Sequence, residues 1–419
     1  MQGLNKIVKK TLSNGVKVYF YKDTSLKRIF MTYNVNYGSH GYFNNIKLNG
    51  KKVTLPFGMA HFLEHTLIEH SYKGNMLHNY LNKNYDFNGM TKMETTTYIF
   101  IGRKKYKEAI KDLINIVDNP VFTSDDIEHV KNAVCEELKQ GNDNRYSKVF
   151  HLNKRNLYSN YEVVDKSLCN IGTVEDTMKF DYDIVKTAYD AYYRDDNKYI
   201  VLGGNFNIDE MTKYLEEIYK DIKPHKAKVE NLNSNEFKIR KKEDVLYDNI
   251  NTEFNIITFK EKYNPNKDVL KQDLAIHYIN GLLFDTDYID KLNDEKIITG
   301  TIARTADFFN GVIELSYYAD VYDSKKFYDE IINRLKNGTK YIKEKDFELI
   351  KKQLLVREIR SYDYMYEKLH NYTDSMLFTE EIDVTDIIRS VTLDDIKKEL
   401  SNLKLDVYSK TSLKIKEEN

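Results

Sequence analysis

The segment "AHFLEHTLIEH", Ala60 to His70, sets three histidines and two glutamates close together. On a helix, His61 and His65 stand one turn apart on one face, so both imidazoles can converge on a single cation. Glu64 lies adjacent to that face and can reach a water beside the cation without ligating the metal itself. The order H-x-x-E-H inverts the H-E-x-x-H zinc signature. A catalytic zinc needs a third protein ligand and one open position. The strongest candidate is the acidic pair Glu136 and Glu137 in "NAVCEELKQ", on a later helix that the fold must bring back; His70 and His129 compete with it. Alone, that acidic pair would be ordinary solvated helix surface. Beside the histidine pair it becomes a ligand candidate.

The elements that must position these groups are legible from periodicity. "GVKVYFYKD" and "RIFMTYNVNYGS" alternate apolar with polar residues and read as strands. A polar loop reaches Pro56, and "FGMAHFLEHTLIEH" follows as a helix with Met59, Phe62, Leu63 and Leu67 on its apolar stripe. "TTTYIFIG" is a strand, and "YKEAIKDLINIVDNP" a helix stopping before Pro120. "SDDIEHVKNAVCEELKQG" reads as a helix from Ser124 or Asp125 to an end before Gly141. "DYDIVKTAYDAYY" continues as a helix and "KYIVLGGNF" as a buried strand. Residues 224–244 turn polar and charged and form the linker candidate. After it the order returns: strand "NTEFNIITFKEK", helix "DVLKQDLAIHYINGLLF", strands "TGTIARTADF" and "GVIELSYYAD", helix "SKKFYDEIINRLKNG", then a long helix from Glu344 to about Tyr366. The expected architecture is α+β: two related halves, 1–223 and 245–419, each a mostly antiparallel sheet covered by helices.

Bulk properties narrow the function classes. A chain of 419 residues with 41% hydrophobic and 31% charged residues is a soluble globular protein of two or three units. A formal net charge of -1 provides no polycationic surface, so nucleic acid is not an expected partner. No apolar run is long enough to span a membrane, and the N-terminus lacks the apolar core of a secretory signal. Cys135 and Cys169 allow one bridge at most, which points to a reducing compartment, the cytoplasm.

In order, "LSNGVKVYF", "YGS", "GMAHFLEH", "NGMTKMETTTY", "VKNAVCEEL" and "IGTVEDTM" resemble the pitrilysin/insulinase family of zinc peptidases, which includes the mitochondrial processing peptidase. The chain is most similar to short bacterial members with a long loop before the zinc helix. Those occur beside peptide-modification genes or in association with elongation factor P modification. The resemblance implies a processing-peptidase-like metallohydrolase fold, with zinc held by His61, His65 and Glu137 and with Glu64 as general base. It makes Asn88, in "FNGMT", the residue that binds substrate backbone. The strand running from Met90 toward Tyr98 becomes the edge to which an extended peptide adds. The implied activity is that of a zinc endopeptidase subunit acting on small extended peptides, with leader removal from a modified precursor as one task. A structural subunit without activity is the competing expectation.

Two positions depart from the family pattern. A glutamate usual seven residues before the ligand glutamate is Val130 here; a lost supporting group of this kind weakens metal affinity or rate by roughly 10- to 100-fold. The facing arginine and tyrosine of the second half are missing from "DKLNDEKIITGTIA". The expected partner is therefore a related subunit that lacks the zinc motif and supplies this pair, giving a heterodimer, unless Arg304 or Tyr288 has taken over the role.

Overall fold

Strands covered on both faces are mostly apolar, and Ile29–Val35 (IFMTYNV) and Lys198–Gly204 (KYIVLGG) are buried throughout, their few polar side chains included. The computed structural model describes residues 6–70, 73–142, 144–158, 172–233, 237–263, 269–309, 311–376 and 379–416. Among these, the first large sheet runs in the order Ile7–Thr11, Lys17–Lys22, Lys198–Gly204, Ile29–Val35, Thr96–Gly102, Asp86–Thr91. Only the contact between Lys17–Lys22 and Lys198–Gly204 is parallel. The second runs Glu243–Asp248, Tyr408–Ile415, Glu253–Lys262, Val312–Val321, Ile298–Phe309, again with one parallel pair. Helices cover both sheets, as the sequence pattern leads one to expect.

Each half lends a helix to the other's sheet. Arg145–Leu157 lies on the second sheet: Val149 packs among Ile250, Phe254, Ile256 and Leu413, and the Asn153 amide donates to the Ser409 carbonyl at 2.9 Å. In return, Met365, Leu369 and Tyr372 of the helix Met365–Ser375 cover Tyr19, Tyr21, Phe30, Tyr199 and Val201 of the first sheet. The long helix expected to reach Tyr366 is in fact broken by a 3-10 turn at Tyr362–Tyr364, which lets the chain change direction toward that sheet.

The stretch before Pro56 is not a loop. Asn45–Leu48 and Lys51–Thr54 form a hairpin whose outer flank pairs with Val229–Asn231, within the stretch expected as a linker. Asn49 and Gly50 have φ of 49° and 86°, the backbone that an Asn-Gly hairpin turn requires. Its four-residue strands carry only Ile46, Leu48 and Val53 as apolar residues, with Ile46 alone fully buried, so the alternation is too brief to stand out.

Buried polar groups tie the first core together. Lys198, fully enclosed, ion-pairs with Asp118 and, at 3.2 Å, with Asp195. Asp118 also accepts hydrogen bonds from the Tyr33 and Tyr219 hydroxyls at 2.6 and 2.8 Å. Such a network fixes the end of the helix Tyr106–Asp118 against the sheet, and losing one member would strand a buried charge at a cost of about 3–5 kcal/mol.

Candidate metal centre

The helix Met59–Glu69 starts at Gly58, whose φ of 80° lies in the left-handed region that a side chain disfavours. Phe62, Leu63 and Leu67 bury one face of the helix in the core. That placement turns His61 and His65 toward a second helix, Ser124–Asn142. The N-cap of this second helix is Thr123 rather than Ser124 or Asp125: Thr123 and Asp126 bond reciprocally in a capping box. The helix also runs on through Gly141. Its residues Ile127, Val130, Val134 and Leu138 face the core, which leaves Glu137 at the rim of the buried face, leaning over the histidines.

Three ligand atoms meet there. His61 Nε2 is 3.2 Å from His65 Nε2 and 3.5 Å from Glu137 Oε2, and His65 Nε2 is 3.3 Å from the same carboxylate oxygen. Tetrahedral coordination with bonds of about 2.0–2.2 Å sets ligand atoms roughly 3.3–3.6 Å apart. The triad therefore fits zinc with little rearrangement, and it is the one group of three or more such ligands found among the described residues. A proton or a metal ion between these atoms would relieve the repulsion of their facing lone pairs. Burial, then the charge of His65, pushes His61 well below its usual range. Burial also pulls on His65, but hydrogen bonds with Glu137 and Glu69 outweigh it and push that imidazole up.

The competitors are occupied elsewhere. His70 pairs with Asp126 at 2.8 Å and meets the His129 ring edge-on, and Glu136 is exposed and paired with Lys139. Glu64 is buried beside the triad, and its Oε2 accepts from the Thr91 hydroxyl at 2.6 Å. Burial raises its pKa, with the Thr91 bond and the charge of His65 opposing. A carboxylate so placed is a better base than a solvated one.

Asn88 is exposed on Asp86–Thr91, which forms the free edge of the sheet among the described residues. It lines a cavity of about 440 Å³ together with His61, Glu64, His65 and Glu137. The edge strand is thus not the segment from Met90 to Tyr98. A turn at residues 92–95 reverses the chain, and Thr96–Gly102 is an interior strand with neighbours on both sides; Tyr98 is fully buried, its hydroxyl 2.8 Å from that of Tyr193. Gly89 of the edge strand lies against Glu64: a β-carbon there would come within 2.4 Å of Glu64 Oε1.

Sequence reasoning passed over Thr91, Gly89 and Glu69, whose Oε1 accepts from His65 Nδ1 at 2.7 Å. Thr91 and Gly89 stand inside the quoted "FNGMT", and Glu69 is one turn beyond His65, so helical spacing could have found it. Arg304 and Tyr288, the residues considered for the facing pair, both make bonds within the second half. The Arg304 guanidinium donates to the Asn280 and Phe284 carbonyls at 3.0 and 2.8 Å, closing the end of the helix Val269–Leu283. The buried Tyr288 hydroxyl donates to Glu330 at 2.6 Å and its ring stacks under Arg334. Cys135 is a buried free thiol; Cys169 lies outside the described residues.

Comparison with known proteins matches residues 56–170 to a family model described as insulinase (peptidase family M16), and residues 179–354 to one described as the peptidase M16 inactive domain. An uncharacterized zinc protease, YmfH, of Bacillus subtilis (strain 168) is 24% identical over 405 residues, covering 92% of this chain and 91% of its own. The crystal structure of a putative M16-like peptidase from Alicyclobacillus acidocaldarius superposes with a TM-score of 0.88 at 19% identity, over 99% of this chain and 100% of that one. Pitrilysin superposes with a TM-score of 0.73 at 15% identity; the match takes 98% of this chain but 45% of pitrilysin. No helix among the described residues is long and apolar enough to cross a membrane.

Proposed function

Because the chain belongs to the insulinase family of M16 peptidases, we propose that it is a zinc-dependent endopeptidase subunit, with His61, His65 and Glu137 as ligands and Glu64 as general base. The observation that carries this reading is the convergence of the three ligand atoms at tetrahedral spacing beside a buried carboxylate. Zinc held there supplies Lewis acidity, which makes water nucleophilic near neutral pH and polarises the scissile carbonyl. Glu64 takes the proton from the attacking water and returns it to the leaving amine. Thr91 steadies the far oxygen of Glu64, leaving the other free to accept. The substrate lies extended along Asp86–Thr91, adding a strand to the free edge, with Asn88 fixing its backbone near the metal. Edge pairing reads backbone rather than sequence, which suits short unfolded peptides such as a leader awaiting removal, in the cytoplasm.

A second subunit belongs to this reading. Arg304 and Tyr288 spend their polar groups inside the second half, and pitrilysin is about twice the length of this chain. The partner is a related chain that lacks the zinc motif and supplies the facing donors across the chamber. The test is zinc content together with peptide cleavage, for the native chain and Glu64→Gln, each with and without a related chain that lacks the zinc motif. Native protein should bind one zinc, cleave poorly alone and gain rate with its partner. Glu64→Gln should keep the zinc and lose roughly 10²- to 10⁴-fold in turnover. A chain that binds no zinc, or a Glu64→Gln variant that still cleaves, contradicts the assignment.

A further inference from the structure

The two histidines of the centre are supported unequally. His61 Nδ1 is buried and makes no hydrogen bond among the described residues, whereas His65 Nδ1 is 2.7 Å from Glu69 Oε1. The position two turns before Glu137 on its own helix, from which a carboxylate could brace the ligands, is Val130, sealed in the hydrophobic core. We infer that Glu69 is the positioning residue of this metal centre, supplying from the histidine helix itself the support that the acidic helix lacks.

Three observations carry this beyond an ordinary surface ion pair. Both partners are mostly shielded, with side-chain exposures of 23% for His65 and 26% for Glu69, so their hydrogen bond is less screened than an exposed one. His65 Nε2 faces His61 and Glu137, and the bond at Nδ1 therefore settles the tautomer: Nδ1 carries the hydrogen and Nε2 keeps its lone pair for the metal. Finally, Glu69 is the last residue of its helix, where the backbone carbonyls make a negative charge unfavourable by about 0.3–1 kcal/mol. Helix stability alone does not ask for a carboxylate there; among the described residues its only ion pair is with His65.

The inference rests on the zinc reading, and its test separates the two. Zinc affinity by chelator competition, and the visible absorption of the cobalt-substituted protein, are compared for the native chain, Glu69→Gln and Glu69→Ala. Glu69→Ala should bind zinc roughly 10- to 100-fold more weakly. Its cobalt bands should shift, and kcat should fall with KM nearly unchanged. Glu69→Gln, close in shape and still able to accept from Nδ1, should recover part of the affinity. Native affinity and an unchanged cobalt spectrum in both variants would overturn the role of Glu69 while leaving the zinc site standing. A native chain that takes up neither metal overturns both.

Discussion

The two halves of the molecule share one wiring diagram and differ in what one helix carries. In the first sheet, Lys198–Gly204, latest in sequence, inserts between Lys17–Lys22 and Ile29–Val35; in the second, Tyr408–Ile415 inserts between Glu243–Asp248 and Glu253–Lys262. In both, a helix leads from the inner strand to the edge strand: Met59–Glu69 to Asp86–Thr91, and Val269–Leu283 toward Ile298–Phe309. The second helix buries Leu274, Tyr278, Ile279 and Leu282, and its single histidine, His277, folds back onto Asp273. The first buries His61 and Glu64 in the corresponding layer. The architecture therefore needs no metal ligands to stand. Burying an imidazole and a carboxylate, with one ring nitrogen left without a partner, lowers stability, and their chemistry is what the first half gains.

Erasing that difference should have the largest effect. His61→Leu combined with Glu64→Leu makes the first helix resemble its counterpart and should abolish zinc binding and turnover together. The metal-free double variant should nonetheless unfold later than the metal-free native chain, by about 1–3 kcal/mol, because buried polar groups give way to apolar ones of similar size. Calorimetry with chelator present measures this. A lower midpoint for the variant would show that the site residues hold the fold together.

Gly89 sharpens the same contrast at the edge strand. In Gly89→Ala the new β-carbon meets Glu64 Oε1 at 2.4 Å and Ile68 Cδ1 at 2.4 Å. Both are ends of flexible side chains, so the fold should survive while the base is displaced. A shift of about 1 Å in a catalytic group can cost on the order of 10²-fold in rate. The expected result is a fall in kcat of that size with zinc affinity unchanged. Native kcat in this variant would mean that Glu64 has more room than the structure gives it.

What the sequence made legible follows the range of the interactions. His61, Glu64 and His65 were readable because helical geometry alone puts them together. Glu137 needed the resemblance, since nothing local separates it from Glu136; only the packing of Val134 and Leu138 turns one carboxylate inward and leaves the other with Lys139. The edge strand was misplaced because the reversal at residues 92–95 contains neither Gly nor Pro, only Lys92 and Glu94 as weak strand formers between β-prone neighbours. The hairpin before Pro56 did carry an Asn-Gly signal, but its four-residue strands are too short for alternation to stand out. The exchange of helices between the halves left no local trace. Val149 and Leu369 look like ordinary core residues, and only the tertiary fold decides which core they enter.

The smallest effect expected concerns the place where the equivalent hairpins of the two halves meet. Glu94 lies in the turn that joins Asp86–Thr91 to Thr96–Gly102. Its electrostatic neighbours come from the other side: Asp307 and Glu314, paired across the second hairpin, and Lys154 on the exchanged helix. Burial raises the Glu94 carboxyl to about 7, with Lys154 opposing and the two acids reinforcing. The folded chain thus holds this proton more tightly than the unfolded chain, whose carboxyl titrates near 4.5. The sign follows: the contribution of Glu94 to stability is complete below about pH 4.5, declines as pH rises, and is lost once pH passes about 7. Glu94→Gln removes that dependence, so the variant should match the native chain near pH 5 and exceed it at pH 8. Because Glu94 is only partly shielded, the gain should be about 1–2 kcal/mol, less than full burial would give. Urea unfolding at several pH values measures the difference between the two proteins. Should that difference stay flat from pH 5 to pH 8, the junction between the halves does not hold a proton on Glu94.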